Sequence, residues 1–164
     1  MTGEGSDEGE HTLRRDEALT SGVTIREAGR GDEATVAELI HELARLEGET
    51  AAATPELVAE YLRFPLSGAL LAELDGEVVG LLTWFVRPGL FHGGRWGYID
   101  ELVVREHARR RGVADALVEA VMARFVTSGC LEASVSTMPD NEAARALYRK
   151  HGMVDEAVFL ERHF

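Results

Sequence analysis

The 164-residue chain has one cysteine, Cys130, and far fewer basic than acidic residues, 17 Lys and Arg against 29 Asp and Glu. It also has no long uncharged apolar run. Each shortage excludes something. One cysteine cannot close an internal disulfide. The missing apolar run, with no basic-then-apolar leader near Met1, predicts a soluble cytoplasmic protein without a membrane partner. A net charge of −12 repels nucleic acid over most of the surface, so no DNA or RNA partner is expected. His11, His41, His92, His107, His151 and His163 show no metal-ligand spacing, and no metal is expected. Cys130 enters an apolar strand and reads as a small buried side chain rather than a nucleophile.

What is present divides unevenly. Residues 1–22, MTGEGSDEGEHTLRRDEALTSG, hold six acidic and two basic residues with little apolar periodicity, and are expected to form a disordered acidic tail. That leaves −8 of the −12 on residues 23–164, so the remaining part is acidic in its own right. With 45% hydrophobic residues in the whole chain, this part suffices for one domain with an apolar core.

Its periodicities give an order of elements. VTIREA alternates as a strand does. Val36, Leu39, Ile40, Leu43 and Leu46 then recur at helical spacing behind Asp32, a candidate cap. Thr54-Pro55 suits the cap and first turn of a second, short helix. Two apolar runs flank Asp75-Gly76, a dipeptide fitted to a tight hairpin turn. A loop containing Gly89, Gly93, Gly94 and Gly97 leads into the strand YIDELVV. A helix from about Gly112 to Ser128, the strand LEASVST, a helix from Asn141 to Lys150 and a last strand in AVFLERHF complete the chain. The fold class that follows is α/β, one mixed sheet without internal repeats.

Two features carry chemistry. Three arginines and a glycine, Arg109 to Gly112, stand before the third long helix. A glycine-containing turn there aims backbone N–H groups and the positive end of the helix dipole at one point, which suits a phosphate. An ordinary solvated helix start is the alternative. No Gly-Lys-Ser/Thr follows and no G-x-G-x-x-G is present, so neither a Walker loop nor a dinucleotide fingerprint applies. The strand feeding this loop carries two adjacent acids, Asp100 and Glu101, inside an apolar run. Because strand neighbours alternate in direction, one of the two is expected to enter any given cleft while the other faces away.

The stretches YIDELVVREHARRRGVADAL, with R-x-x-G-x-A as Arg109 to Ala114, and PDNEAARALYRKHGM, with its Asn start and Leu-Tyr-x-x-x-Gly end, resemble the GNAT superfamily of acetyl-CoA-dependent N-acetyltransferases. The likeness runs from about Thr24 to Phe164 in element order. More narrowly, LIHELARLEGETAAATPELVAEYL and the loop into YIDELVV resemble the spermidine/spermine acetyltransferase branch. The resemblance implies a mostly antiparallel sheet with helices on both faces and a splayed central strand pair that admits acyl-CoA.

It also implies roles. Arg109, Arg110, Arg111, Gly112, Val113 and Ala114 would hold the CoA pyrophosphate, and Leu102, Val103 and Val104 would pair with pantetheine as an added strand. A backbone N–H near Val103 would polarise the thioester carbonyl. Asn141 would hydrogen-bond the cofactor's amide arm, with Ala143 and Ala144 allowing close approach. Tyr148 matches the position of a general acid, a phenol still protonated at pH 7, against the alternative of a tyrosine packed on the sheet. Asp100 aligns with the polyamine branch's glutamate, although Asp100-Glu101 reverses that branch's order of acids. The base is therefore Asp100 through a water, or Glu101. Glu47, after the first helix, is a candidate anchor for a second ammonium, or a solvated helix-end acid. The implied partners are acetyl-CoA, a small-molecule amine such as a polyamine or diamine, and a second copy of the chain in a homodimer. Two alternatives stay open: an acyl-CoA-binding regulatory module without turnover, and acetylation of a protein amine.

Overall fold

The computed structural model describes residues 22–160 and 162; the acidic tail expected over residues 1–22 therefore lies outside it, Gly22 apart. Five strands form one sheet in the order β1 (Val23–Glu27), β2 (Ser67–Leu74), β3 (Glu77–Gly89), β4 (Gly94–Val104) and β5 (Cys130–Val135). Every neighbouring pair is antiparallel except β4 and β5, which run parallel. This is the mixed, mostly antiparallel α/β sheet expected, with helices on both faces.

Helices α1 (Glu33–Leu46) and α2 (Pro55–Tyr61) cover one face, where Val36, Leu39 and Val58 pack on Leu71, Leu81 and Val103. On the other face α3 (Val113–Thr127) packs Val113, Leu117, Val121 and Phe125 against Leu82, Trp84 and Ile99, and α4 (Glu142–Lys150) adds Tyr148 to the same cluster. The two apolar clusters follow from strand alternation: successive β3 residues Leu81 and Leu82 enter opposite cores. Thr54 caps α2 as its sequence suggests, accepting the Leu57 N–H. Asp32 precedes α1 but does not cap it with its side chain, because its carboxylate is taken by Arg26 and the Gly29 N–H.

Two further expectations are corrected. The glycine-rich stretch after β3 is not an open loop. Gly89 pairs with Gly94, and only residues 90–93 turn the chain. Gly97 serves close packing rather than flexibility, since a Cβ there would stand 2.6 Å from the Phe125 ring. The last strand, expected in AVFLERHF, does not form over Ala157–Leu160. Val158 and Leu160 are 86% and 88% exposed, and residues 157–160 pair with no strand of the sheet. An apolar run becomes a strand only where a neighbouring edge supplies hydrogen bonds. Glu161, His163 and Phe164 lie outside the described residues.

Candidate active site

The site is organised by where β4 loses a partner. Parallel pairing with β5 ends at Ile99 with Val135, whereas pairing with β3 continues to Val104 opposite Gly80. From Asp100 to Val104 the β5-facing edge of β4 is therefore open, and its backbone groups there can pair with an extended ligand. Leu102, Val103 and Val104 lie in this open edge, where the resemblance puts pantetheine.

Past β4, the short 3₁₀ turn Glu106–Ala108 leads to the arginine loop. Gly112 immediately precedes α3 at φ 80, a left-handed conformation that glycine adopts without strain, and no side chain caps the helix. Arg110 is left-handed as well, at φ 59. Among the described residues, the backbone N–H groups from Arg110 through Ala114 donate to no acceptor. Such N–H groups at a helix start form an anion-binding concavity. The arginines have separate fates. Arg109 Nε donates to the Val104 carbonyl at 3.1 Å, tying the loop to the open edge, and Arg111 reaches Asp75 at 3.4 Å. Arg110 has no ion pair with a described residue.

The two acids occupy a bulge. Leu82 pairs with Leu102 but Trp84 pairs with Ile99, so Thr83 alone opposes both Asp100 and Glu101. The extra residue flips the alternation: Ile99 enters the α3 core, whereas Val103, four positions on, enters the α1 and α2 core. Both acids consequently fall on the α1 and α2 side. This overturns the expectation of one acid per cleft, because strict alternation fails at a bulge. Tyr61 of α2 registers both charges. Burial first, then Glu101 and Asp100, pushes its phenol upward.

Thr83, 4% exposed, donates its hydroxyl hydrogen to the Glu101 carboxylate and accepts the Glu101 N–H at 3.0 Å. Tyr61 donates its own hydroxyl hydrogen to the Trp84 carbonyl at 2.9 Å. Burial, then the Asp100 charge, pushes the Glu101 carboxyl up to about 7. Asp100, whose side chain reaches solvent, is raised by partial desolvation. Neither Thr83 nor Tyr61 stood out in the sequence. One is a lone hydroxyl in the apolar run GLLTWF and the other a helix tyrosine, and only the register brings them to Glu101.

Tyr148 comes from the opposite side of the sheet. It is 7% exposed, and burial with the nearby Tyr98 phenol pushes its hydroxyl up to about 12, so it is fully protonated at neutral pH. Its hydroxyl hydrogen-bonds no described residue, whereas Tyr98 bonds Ser136 just beyond β5. Asn141 caps α4, accepting the Ala144 N–H at 3.1 Å through its side-chain oxygen. Its amide nitrogen stays available as a donor. Ala143 and Ala144 form the first turn beside it. Glu47 is exposed at the end of α1, where its N–H bonds the helix, and no contact joins it to the acids. Cys130 opens β5, partly buried, with its thiol pushed up by burial. Among the described residues no cluster of His, Cys, Asp or Glu is arranged to hold a metal ion, and no helix is long and apolar enough to cross a membrane.

A strand with one half released from its neighbour, an uncapped helix start below it and a pair of acids beside it, Glu101 half-buried and Asp100 exposed, define an acyl-transfer scaffold of the CoA-binding kind. The acetyltransferase (GNAT) family model matches residues 36–153, and the chain belongs to that family of acetyl-CoA-dependent acetyltransferases. A curated relative, Acetyltransferase SG1711 of Sodalis glossinidius (strain morsitans), is 32% identical over 93 residues, which span 56% of this chain and 61% of the relative. An aminoglycoside acetyltransferase from an uncultured soil metagenomic sample, in complex with trehalose, superposes with a TM-score of 0.76 at 19% identity, covering 89% of this chain and 97% of its own. Aminoglycoside N-acetyltransferase AAC(6')-Iy in complex with CoA gives 0.73 at 23% identity, covering 86% and 94%. Ribosomal-protein-alanine N-acetyltransferase from Brucella melitensis biovar Abortus gives 0.72 at 22%, covering 87% and 99%. At these identities the three structures are likenesses of fold.

Proposed function

We propose that residues 23–164 form an N-acetyltransferase domain that moves the acetyl group of acetyl-CoA to a primary amine by direct attack in a ternary complex. The observation that carries this reading is the open edge of β4 from Asp100 to Val104, placed between an uncapped helix start and a buried carboxyl near pKa 7. Acetyl-CoA supplies the acetyl group as a thioester. The N–H groups from Arg110 to Ala114 hold its pyrophosphate, with Arg110 free to add a forked donor and Arg109 fixing the loop through Val104. Leu102, Val103 and Val104 pair with its extended arm, Asn141 donates to that arm from α4, and the Val103 N–H polarises the carbonyl that is attacked.

The amine arrives charged, because an alkylammonium has a pKa near 10.4, and only its neutral form attacks. Glu101 takes the proton, directly or through a water beside Asp100. A carboxyl near 7 is a better base than one at its ordinary value of 4.5, yet it is still largely ionised above neutrality. Tyr148 holds the proton that the departing thiolate needs, from a hydroxyl not committed to another group.

For the acceptor, the paired acids and the acidic surface favour a small cationic amine, the polyamine or diamine class that the branch resemblance implies. Two of the fold relatives are aminoglycoside acetyltransferases, and aminoglycosides are amine-rich small molecules too. The homodimer belongs to the same reading, and light scattering tests it against the monomer mass of 17.9 kDa. The decisive experiment couples titration of acetyl-CoA to a thiol-release assay over polyamines, amino acids, aminoglycosides and peptide amines. Release with an amine establishes the activity. Tight acetyl-CoA binding with no release from any amine identifies a regulatory acyl-CoA module instead.

A further inference from the structure

The face of the sheet that carries the two acids does not end at them. Toward the β3–β4 turn it runs beyond the cover of α1 and α2, and there it presents Phe85 and Arg87 from β3 with Trp96 and Tyr98 from β4. The rings form a continuous row. Phe85 stacks on Tyr98 with centroids 5.1 Å apart and planes 24° from parallel, and meets Trp96 edge-on at 6.3 Å. Trp96 is fixed by its indole N–H, which donates to Ser134 at 2.8 Å. At the far end the Arg87 guanidinium lies 4.0 Å over the Trp96 ring centroid.

This guanidinium makes no ion pair or hydrogen bond with a described residue. It lines an open cleft of about 480 Å³ with Trp96, Ser134 and Glu132. The Glu132 carboxylate is taken by His92 at 2.7 Å. A planar cation held flat by an aromatic ring, with its donors uncommitted, is pre-ordered for a carboxylate, whose two oxygens match the guanidinium fork. Arg87 stands four positions along β3 from Thr83, which faces the acids. At about 3.3 Å per residue the two ends of the groove are roughly 13 Å apart, less the reach of the arginine.

We propose that Arg87 and Trp96 form an acceptor subsite for a carboxylate, so that the amine acetylated carries a carboxylate at the far end of an apolar, extended body. The proposal rests on the reading of the acids as the amine end, and it moves the acceptor from the polyamine or diamine class to amino acids of that span. A second ammonium at this end, as in a diamine, meets the Arg87 charge.

Three ligands of equal length separate the possibilities: an ω-amino-octanoate, its terminal amide and the corresponding α,ω-diamine. Their binding to the full-length protein saturated with CoA is read by tryptophan fluorescence and calorimetry, with thiol release from acetyl-CoA measured in parallel. The carboxylate is expected to bind about fivefold tighter than the amide, a modest factor because Arg87 is exposed. Arg87→Ala should abolish this preference, and Arg87→Glu should invert it toward the diamine. Circular dichroism checks that both variants fold, and Arg87→Lys, which keeps charge without the fork, should retain part of the preference. Equal affinity for all three ligands, no binding of any, or a preference that survives Arg87→Ala overturns the subsite. Carboxylate preference without thiol release leaves the subsite standing and overturns the transferase reading, so the two failures are distinguishable.

Discussion

The two halves of β4, GRWGYI and DELVV, belong to one continuous strand and have opposite uses. From Gly94 to Ile99 the strand is hydrogen-bonded on both sides, and its glycines and aromatics are placed by packing against α3 and β5. From Asp100 to Val104 it keeps one neighbour, and the bulged acids, the open edge and the tie from Arg109 gather there. A strand's backbone is spent on structure where it is paired and becomes available for recognition where pairing lapses.

The contrast makes effects graded by distance from the open half. Tyr148→Phe removes a hydroxyl but keeps the ring in its buried place. Thermal stability and acetyl-CoA affinity should hold, while kcat falls by about 10²- to 10⁴-fold, the usual weight of a general acid. A first turnover at the wild-type rate, measured by rapid quench, makes Tyr148 a packing residue.

Glu101→Gln should lower kcat by roughly 10²-fold and flatten the rise of kcat/KM with pH, which in the wild type tracks ionisation of a group near 7. Its stability effect has the opposite sign. The folded state raises this pKa from 4.5, so it binds more protons than the unfolded state between the two values, and wild-type stability falls as pH climbs through about 7. The glutamine escapes that loss. Melting curves at pH 5 and pH 8 should show the variant gaining relative to wild type only at the higher pH.

Gly112→Glu places a carboxylate and a Cβ at a left-handed position beneath the pyrophosphate, and acetyl-CoA affinity should drop by about tenfold or more. Arg109→Ala should cost less, since this side chain reaches the Val104 carbonyl and acts by steadying the loop. Isothermal titration reads both, and unchanged affinity in the pair removes the phosphate assignment.

Thr83→Val withdraws the hydroxyl that donates to Glu101. The acidic limb should move to higher pH, with a loss of roughly severalfold in kcat/KM at pH 7. The smallest effect belongs to β5, the strand that pairs with the first half of β4. Cys130→Ala should leave turnover nearly intact, and loss of activity in a folded variant would revive a covalent route through that thiol.

Much of this was legible in the sequence, and what escaped it has a common cause. Local signals worked where a residue acts on its own segment: Thr54-Pro55 opens α2, Asn141 caps α4, Asp75-Gly76 turns a hairpin and Gly112 starts α3. They failed where the deciding partner is remote. Gly94 and Gly97 looked like loop because nothing local reveals that Leu131 will press on the first and Phe125 on the second. AVFLERHF had the composition of a strand, yet its described part, Ala157–Leu160, pairs with no neighbour. The bulge escaped for the same reason, since Asp100-Glu101 is an ordinary alternating pair until Thr83 is found opposite both. Thr83 and Tyr61 reach Glu101 from 18 and 40 positions away in a chain that gives neither a distinctive neighbourhood.

The bulge also sets a rule for how this strand can change over generations. Deleting either acid does more than remove a carboxylate: it restores strict alternation, and every side chain from Leu102 onward exchanges faces. Val103 would leave the α1 core for the α3 core while Leu102 and Val104 moved the other way, and the loop carrying Arg109 would enter α3 half a pleat out of phase. Substitution at these two positions is tolerable to the fold; a change in their number is a frameshift in three dimensions. Length here constrains the fold as strictly as any side chain.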